Sequence, residues 1–171
     1  WQFLGDLQPY MLNFLENHDE QRFGSEFFGK DAANTFAPLY TSLFLNTAPF
    51  MIYFGEEVGE KGMDEEGFSG KDGRTTIFDW WSVGSIRRLR KVIESGDYKS
   101  LDVKTLVKAG MKREEAEVFV KFADAVRLAS SDTAVTMGTT YDLCYCNLSS
   151  DGFDKNRHFA FLRDYEDHTI L

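Results

Sequence analysis

Glu16, Asn17, His18 and Asp19 follow one another directly after the apolar run Tyr10-Met11-Leu12-Asn13-Phe14-Leu15, with Glu20 and Arg22 close behind. Carboxylates, an imidazole and an amide at such density are hydrogen-bonding and ionisable groups of the kind that acid–base chemistry uses. An apolar run of this kind reads as a strand buried on both faces, as parallel sheets require. Polar groups at its C-terminal end would then sit where parallel α/β enzymes place their chemistry. The same residues also read as a strand followed by an ordinary Asn/Asp turn. Glu16, Asp19 and Glu20 could suggest a hard-cation site, but a strand end does not require the three to converge, and no metal is assigned to them.

The elements that must position these residues follow in order. After a polar loop, Asp31 can cap a helix whose Phe36, Leu39, Tyr40, Leu43 and Phe44 define one apolar stripe ending near Asn46. Pro49 then precedes a second apolar run, Phe50-Met51-Ile52-Tyr53-Phe54, stopped by Gly55-Glu56-Glu57. Strand, helix and strand in this span form a βαβ unit with parallel strands and a right-handed crossover, so both acidic loops lie on one rim. The second loop, from Gly55 to about Phe78, is long and glycine-rich, which marks a functional or disordered segment. A basic helical stretch follows from about Val83 to Glu94, a shorter one from Leu101 to Ala109, and a strong helix from about Arg113 to Ala129. In the last, Ala116, Phe119, Val120, Ala123, Val126 and Arg127 are expected on the packed side. Beyond Gly138 the pattern becomes short β-type runs, Thr139 to Cys146, Arg157 to Tyr165 and Thr169 to Leu171. This gives a second, antiparallel unit and a boundary between 1–137 and 138–171. His158 and His168 are expected in those strands as exposed or cross-strand residues.

Composition sets limits on partners. With 28 acidic against 19 basic residues the net charge is −9, which argues against nucleic acid, whose affinity rests on clustered Lys and Arg. The cluster Arg87-Arg88-Leu89-Arg90-Lys91 has helix spacing and reads as a solvated helix face. No apolar run reaches membrane-spanning length and no signal peptide is recognisable. Cys144 and Cys146, two apart in an expected strand, read as reduced packing residues.

Taken together, these motifs resemble the alpha-amylase family, glycoside hydrolase family 13. Phe14-Leu15-Glu16-Asn17-His18-Asp19 is similar to the strand end at which that family carries Asn-His-Asp. Pro49-Phe50-Met51-Ile52-Tyr53-Phe54-Gly55-Glu56-Glu57 is similar to its next barrel strand, with Phe54 in place of a Tyr. Arg74-Thr75-Thr76-Ile77-Phe78-Asp79-Trp80 resembles its Arg-rich loop ending in Trp. Gly138 to Asn147 with Phe159-Ala160-Phe161-Leu162-Arg163 resembles the opening strands of its C-terminal β-sandwich. Glycine spacing and the helix pair are most similar to Bacteroides-type starch-degrading amylases. The resemblance implies an α/β fold: the last strands (seven and eight) and helices of a (β/α)8 TIM barrel, followed by the first strands of an antiparallel β-sandwich.

The resemblance also implies roles. Retaining glycosidases pass through an oxocarbenium-like transition state served by a nucleophilic carboxylate and a carboxylic acid. Asp19 would be the third, transition-state-stabilising carboxylate. His18, Arg22 and Asn17 would be substrate-binding, with Arg22 also holding Asp19 ionised and Asn17 bracing the loop. Glu57 and Arg74 would be mutually paired structural residues of the rim, and Trp80 and Trp81 would pack the loop or stack on sugar. Partners would be an alpha-glucan and the upstream barrel portion of the same enzyme; no cofactor is implied in this chain, with calcium admissible in the complete enzyme. Placement would be extracellular, periplasmic or at the cell surface. The family's nucleophile and acid/base regions precede Asn-His-Asp and have no counterpart here, since Asp72-Gly73-Arg74 has the wrong order. The chain is therefore expected to be a fragment, inactive alone and prone to associate. The alternatives are a sibling activity (glucanotransferase, cyclodextrinase or alpha-glucosidase) and a non-catalytic carbohydrate-binding or interaction module.

Overall fold

A computed structural model of the chain describes residues 3–62, 72–75 and 83–171; Trp80 and Trp81 lie outside the described residues. A 3-10 turn at Gly5–Tyr10 leads into β1 (Asn13–Phe14). Asp31 then caps a 3-10 turn by accepting from the Ala33 amide at 2.9 Å, and this turn runs directly into α1 (Phe36–Phe44). Strand β2 (Phe50–Met51) returns beside β1 in parallel, with Asn13 opposite Phe50 and Phe14 opposite Met51. The expected β-α-β order and parallel pairing are present, but both strands are shorter than their apolar runs. Tyr10 belongs to the preceding 3-10 turn, which contains Pro9, a residue without an amide to donate. β2 stops because the Tyr53 amide turns to the Glu56 carboxylate instead of a neighbouring strand.

The helical layer consists of α2 (Gly84–Ser95), α3 (Val103–Lys108), α4 (Arg113–Ser131) and α5 (Thr133–Met137). Asp102 caps α3 through the Lys104 and Thr105 amides, and Asp132 caps α5 through the Val135 amide. Helix α4 joins two cores. Toward α2 and α3 lie Val58, Leu89, Val92, Leu106, Met111 and Ala116; toward α1 lie Ala32, Leu39, Val118, Phe122 and Ala125, with Phe50 and Leu15 from the strands. Its buried face is therefore centred on Ala116, Val118, Phe122 and Ala125. The single stripe through Ala123, Val126 and Arg127 is corrected, because packing on both flanks draws in a wider arc and Arg127 is exposed, paired with Asp124 at 2.7 Å. Gly59, with φ of 67°, lets the turn after β2 approach this layer, since a Cβ there would sit 2.6 Å from that of Ala32. The basic cluster forms part of α2, and Arg88 pairs with Glu115 of α4 rather than facing only solvent.

Beyond α5 an antiparallel sheet forms in the order β3-β4-β5: Thr139–Asp142, Phe161–Tyr165 and His168–Ile170. The expected strand to Cys146 ends early. Asp142 accepts from the Cys144 amide at 2.7 Å and starts a helical turn, α6 (Cys144–Asn147), so the two free cysteines sit on a turn rather than a strand face. His158 likewise lies in a turn before β4, where its Nδ1 accepts from the Asp154 amide. His168 sits in β5 with Nε2 2.8 Å from Asp132. Among the described residues no helix is long and apolar enough to cross a membrane.

Arg163 fastens this sheet to the helices. It is 2% exposed, and it donates to the Ala134 and Val135 carbonyls of α5, to the Leu45 carbonyl after α1 and to the Thr140 hydroxyl of β3. Helix-end carbonyls carry partial negative charge, so neutral oxygens can hold a buried guanidinium, although burial pushes its pKa down. Replacing Arg163 by Leu strands these acceptors and is expected to cost roughly 3 kcal/mol in urea unfolding. Arg127→Ala, on the exposed face of α4, is expected to stay within about 0.5 kcal/mol.

Candidate active-site rim

The loop after β1 and the turn after β2 meet on one rim, and Arg22 joins them. Its side chain is 0% exposed. Nη1 donates to Glu16 Oε2 at 2.7 Å, Nη2 to the Phe54 carbonyl at 2.7 Å and Nε to Thr75 Oγ1 at 3.2 Å. The guanidinium also lies over the Tyr53 ring, 4.5 Å from its centroid, and near that of Phe54. The Arg22 amide donates to the Gly73 carbonyl and the Tyr53 hydroxyl to the Thr75 carbonyl, which brings segment 72–75 onto the rim. Gly73, with φ of 83°, is required there because a Cβ would lie 2.6 Å from Ser25 Cβ.

Glu16 works with both oxygens. While Oε2 holds Arg22, Oε1 accepts from the Phe23 amide at 2.7 Å. One carboxylate therefore bridges the two ends of the loop Asn17–Gln21. Inside it, Asn17 Oδ1 accepts from the Asp19 and Glu20 amides at 2.8 and 2.9 Å, an Asx turn. His18 and Asp19 project outward, their side chains 55% and 74% exposed, with Nε2 and Oδ2 3.4 Å apart. They form an exposed pair able to meet hydroxyl groups together.

Two of the expected pairings differ. Arg22 was expected to hold Asp19 ionised or touch substrate; it pairs with Glu16 and presents no surface. A fully buried guanidinium needs an anion against it, and Asp19 stays in solvent. Arg74 was expected to pair with Glu57, but its ion pair runs to Asp72 at 2.6 Å, two residues away, where a tight turn brings the carboxylate within reach. Glu57 is half-buried in the turn after β2, and among the described residues its Oε2 is buried without a hydrogen-bond partner. Asn17 is turned inward onto backbone amides.

Glu16 and Glu56 are buried rim acids to which sequence reasoning assigned no role. Glu56 is 1% exposed; Oε2 accepts from the Tyr53 amide at 3.1 Å, and Oε1 is buried without a partner among the described residues. The available signal was an acid at the end of each apolar run with a single arginine nearby. Burial pushes the Glu16 carboxyl up, against the pull of Arg22 and the Phe23 amide. Glu57 is pushed up by burial as well. Burial and the neighbouring Glu16 charge raise Glu56 to about 8, so it is mostly neutral at pH 7, and Glu16 makes the direct contact with Arg22. Among the described residues no group of three His, Cys, Asp or Glu side chains could hold a metal ion; Glu16 turns inward while Asp19 faces solvent.

No protein-family model, curated protein or solved structure matches this chain.

Glu56 binds its proton more tightly folded than unfolded, where an ordinary glutamate titrates near 4.5. Its stabilising effect is complete below that value and is lost as pH rises toward 8, at roughly 1.4 kcal/mol per pH unit at most. Glu16 and Glu57 act with the same sign. Urea unfolding at pH 5 and pH 8.5 is expected to show a loss of roughly 3 kcal/mol, and Glu56→Gln, which mimics the neutral acid, is expected to remove at least half of it. Equal slopes in the two proteins would contradict the assignment.

Proposed function

We propose that this chain is the C-terminal part of a retaining glycoside hydrolase of the alpha-amylase type, cleaving alpha-glucosidic bonds in starch or malto-oligosaccharides. The observation that carries the reading is the exposed His18–Asp19 pair on a loop at the C-terminal end of β1, beside the C-terminal end of the parallel strand β2. That is the rim on which parallel α/β enzymes do chemistry. Phe14 in β1 and Leu12 and Ile52 next to the two strands are exposed, residues of the type that parallel sheets bury on both faces. This supports further barrel strands, supplied by the remainder of the enzyme, and with them the nucleophile and the acid/base. Secretion to a polysaccharide-containing compartment belongs to the same reading.

In this mechanism positive charge develops at the anomeric carbon and ring oxygen as the glycosidic bond breaks. Asp19 binds hydroxyls of that sugar and offers an anion whose attraction grows as the charge develops, which lowers the barrier rather than merely tightening binding. His18, 3.4 Å from Asp19 Oδ2, donates to a neighbouring hydroxyl. Asn17 and the buried rim residues keep the loop in shape.

In the enzyme that contains this chain, Asp19→Asn is expected to lower kcat on maltoheptaose by about 100-fold or more, whereas the isolated wild-type chain is expected to show no hydrolysis. Unchanged turnover in Asp19→Asn, or robust turnover by the chain alone, would contradict the proposal.

A further inference from the structure

We propose that Glu16 and Arg22 are positioning residues: together they clamp the loop Asn17–Gln21 shut and so aim His18 and Asp19 into the same space. The inference deepens the glycosidase reading and rests on it for the identity of the substrate, an alpha-glucan, but its geometric content is independent.

The loop is fixed by two nested devices. The inner one is the Asn17 side chain, which bonds the Asp19 and Glu20 amides. It shapes the turn but leaves the turn free to swing as a unit. The outer device is the Glu16 carboxylate, which spans the loop mouth by taking the Arg22 guanidinium on one oxygen and the Phe23 amide on the other. The anchor is itself immobile, since Arg22 is bonded to the Phe54 carbonyl at the end of β2 and to Thr75 Oγ1, and its backbone amide to the Gly73 carbonyl. The clamp thus references the exposed pair to a second strand end and to a third segment. His18 and Asp19 have no comparable restraint of their own, since more than half of each side chain is in solvent. A site built from two exposed side chains needs its precision from the shell beneath them, and a small misplacement of such groups costs rate steeply.

Position and stability separate in the variants. Glu16→Gln keeps the shape but turns one acceptor into a donor and leaves the Arg22 charge buried without its counter-ion. Because that protein could unfold, the second variant is the double change Glu16→Gln with Arg22→Met, which removes both charges and keeps the volume. Replacing a buried ion pair by uncharged groups of similar size is often neutral in stability, so this variant is expected to fold while lacking the clamp.

The test is backbone amide relaxation by NMR on the full chain. In wild type, residues 18–20 are expected to have order parameters near those of rigid backbone, about 0.85; in the double variant they are expected to fall below about 0.6, while Phe122 in α4 keeps its wild-type value. A loop that stays as rigid as wild type in the folded double variant would overturn the clamp. A maltoheptaose titration of wild type, read at His18 and Asp19, judges the substrate separately. Shifts at those residues that weaken at least about tenfold in the double variant support the positioning role. Wild-type resonances unmoved at millimolar maltoheptaose overturn the glucan reading without touching the clamp.

Discussion

The fold around the rim depends on where one guanidinium places its charge. Arg22 has no contact with solvent, and an ion taken out of water is tolerated only when close partners replace its hydration. Those partners come from the end of β1 (Glu16), the end of β2 (Phe54 carbonyl, Tyr53 and Phe54 rings) and segment 72–75. Two strands of two residues each could hardly hold one another by ladder hydrogen bonds alone. Arg22 supplies a polar core where the sheet is too short to supply an apolar one, and the loop carrying His18 and Asp19 inherits its rigidity.

The same charge accounts for the unusual state of the acids around it. Three glutamates, Glu16, Glu56 and Glu57, lie buried or half-buried near Arg22. Two unit charges of like sign at close range in a poorly polarisable interior repel by several kcal/mol, so they do not all ionise against one cation. Geometry decides the order: Glu16 has the direct ion pair and a backbone amide, whereas Glu56 has one amide and an oxygen unpaired among the described residues, and keeps its proton. Arg163 shows the other solution within the same molecule, a buried guanidinium held by neutral oxygens, three carbonyls at the ends of two helices and the Thr140 hydroxyl.

Much of the framework was legible from residue periodicity. The β-α-β order, its parallel pairing, the Asp31 cap, the three later helices and the antiparallel sheet all follow from alternating apolar runs and local capping chemistry. The misreadings share a cause, since each concerned a choice among partners that only tertiary packing makes. Asp19, Glu16 and Glu20 all lie near Arg22 in sequence, and nothing in their spacing says that Glu16 alone turns inward. Helix α4 could have packed on one side but packs on two, which widened its buried face to include Val118 and Phe122. Asp142 could have continued a strand but captured the Cys144 amide. That His18 and Asp19 follow the end of a strand was legible; the buried pair beneath them was not, because one residue at each end of a loop leaves no periodic trace.

The claim that the Glu16–Arg22 pair organises the rim is tested most directly by a double-mutant cycle. Unfolding free energies of wild type, Glu16→Gln, Arg22→Met and the double variant give the coupling between the two side chains free of their separate effects. The account predicts a coupling of about 3 kcal/mol or more, each single change being costly and the second recovering most of what the first loses. Coupling within about 0.5 kcal/mol of zero would mean that the two side chains contribute independently, and would contradict the account.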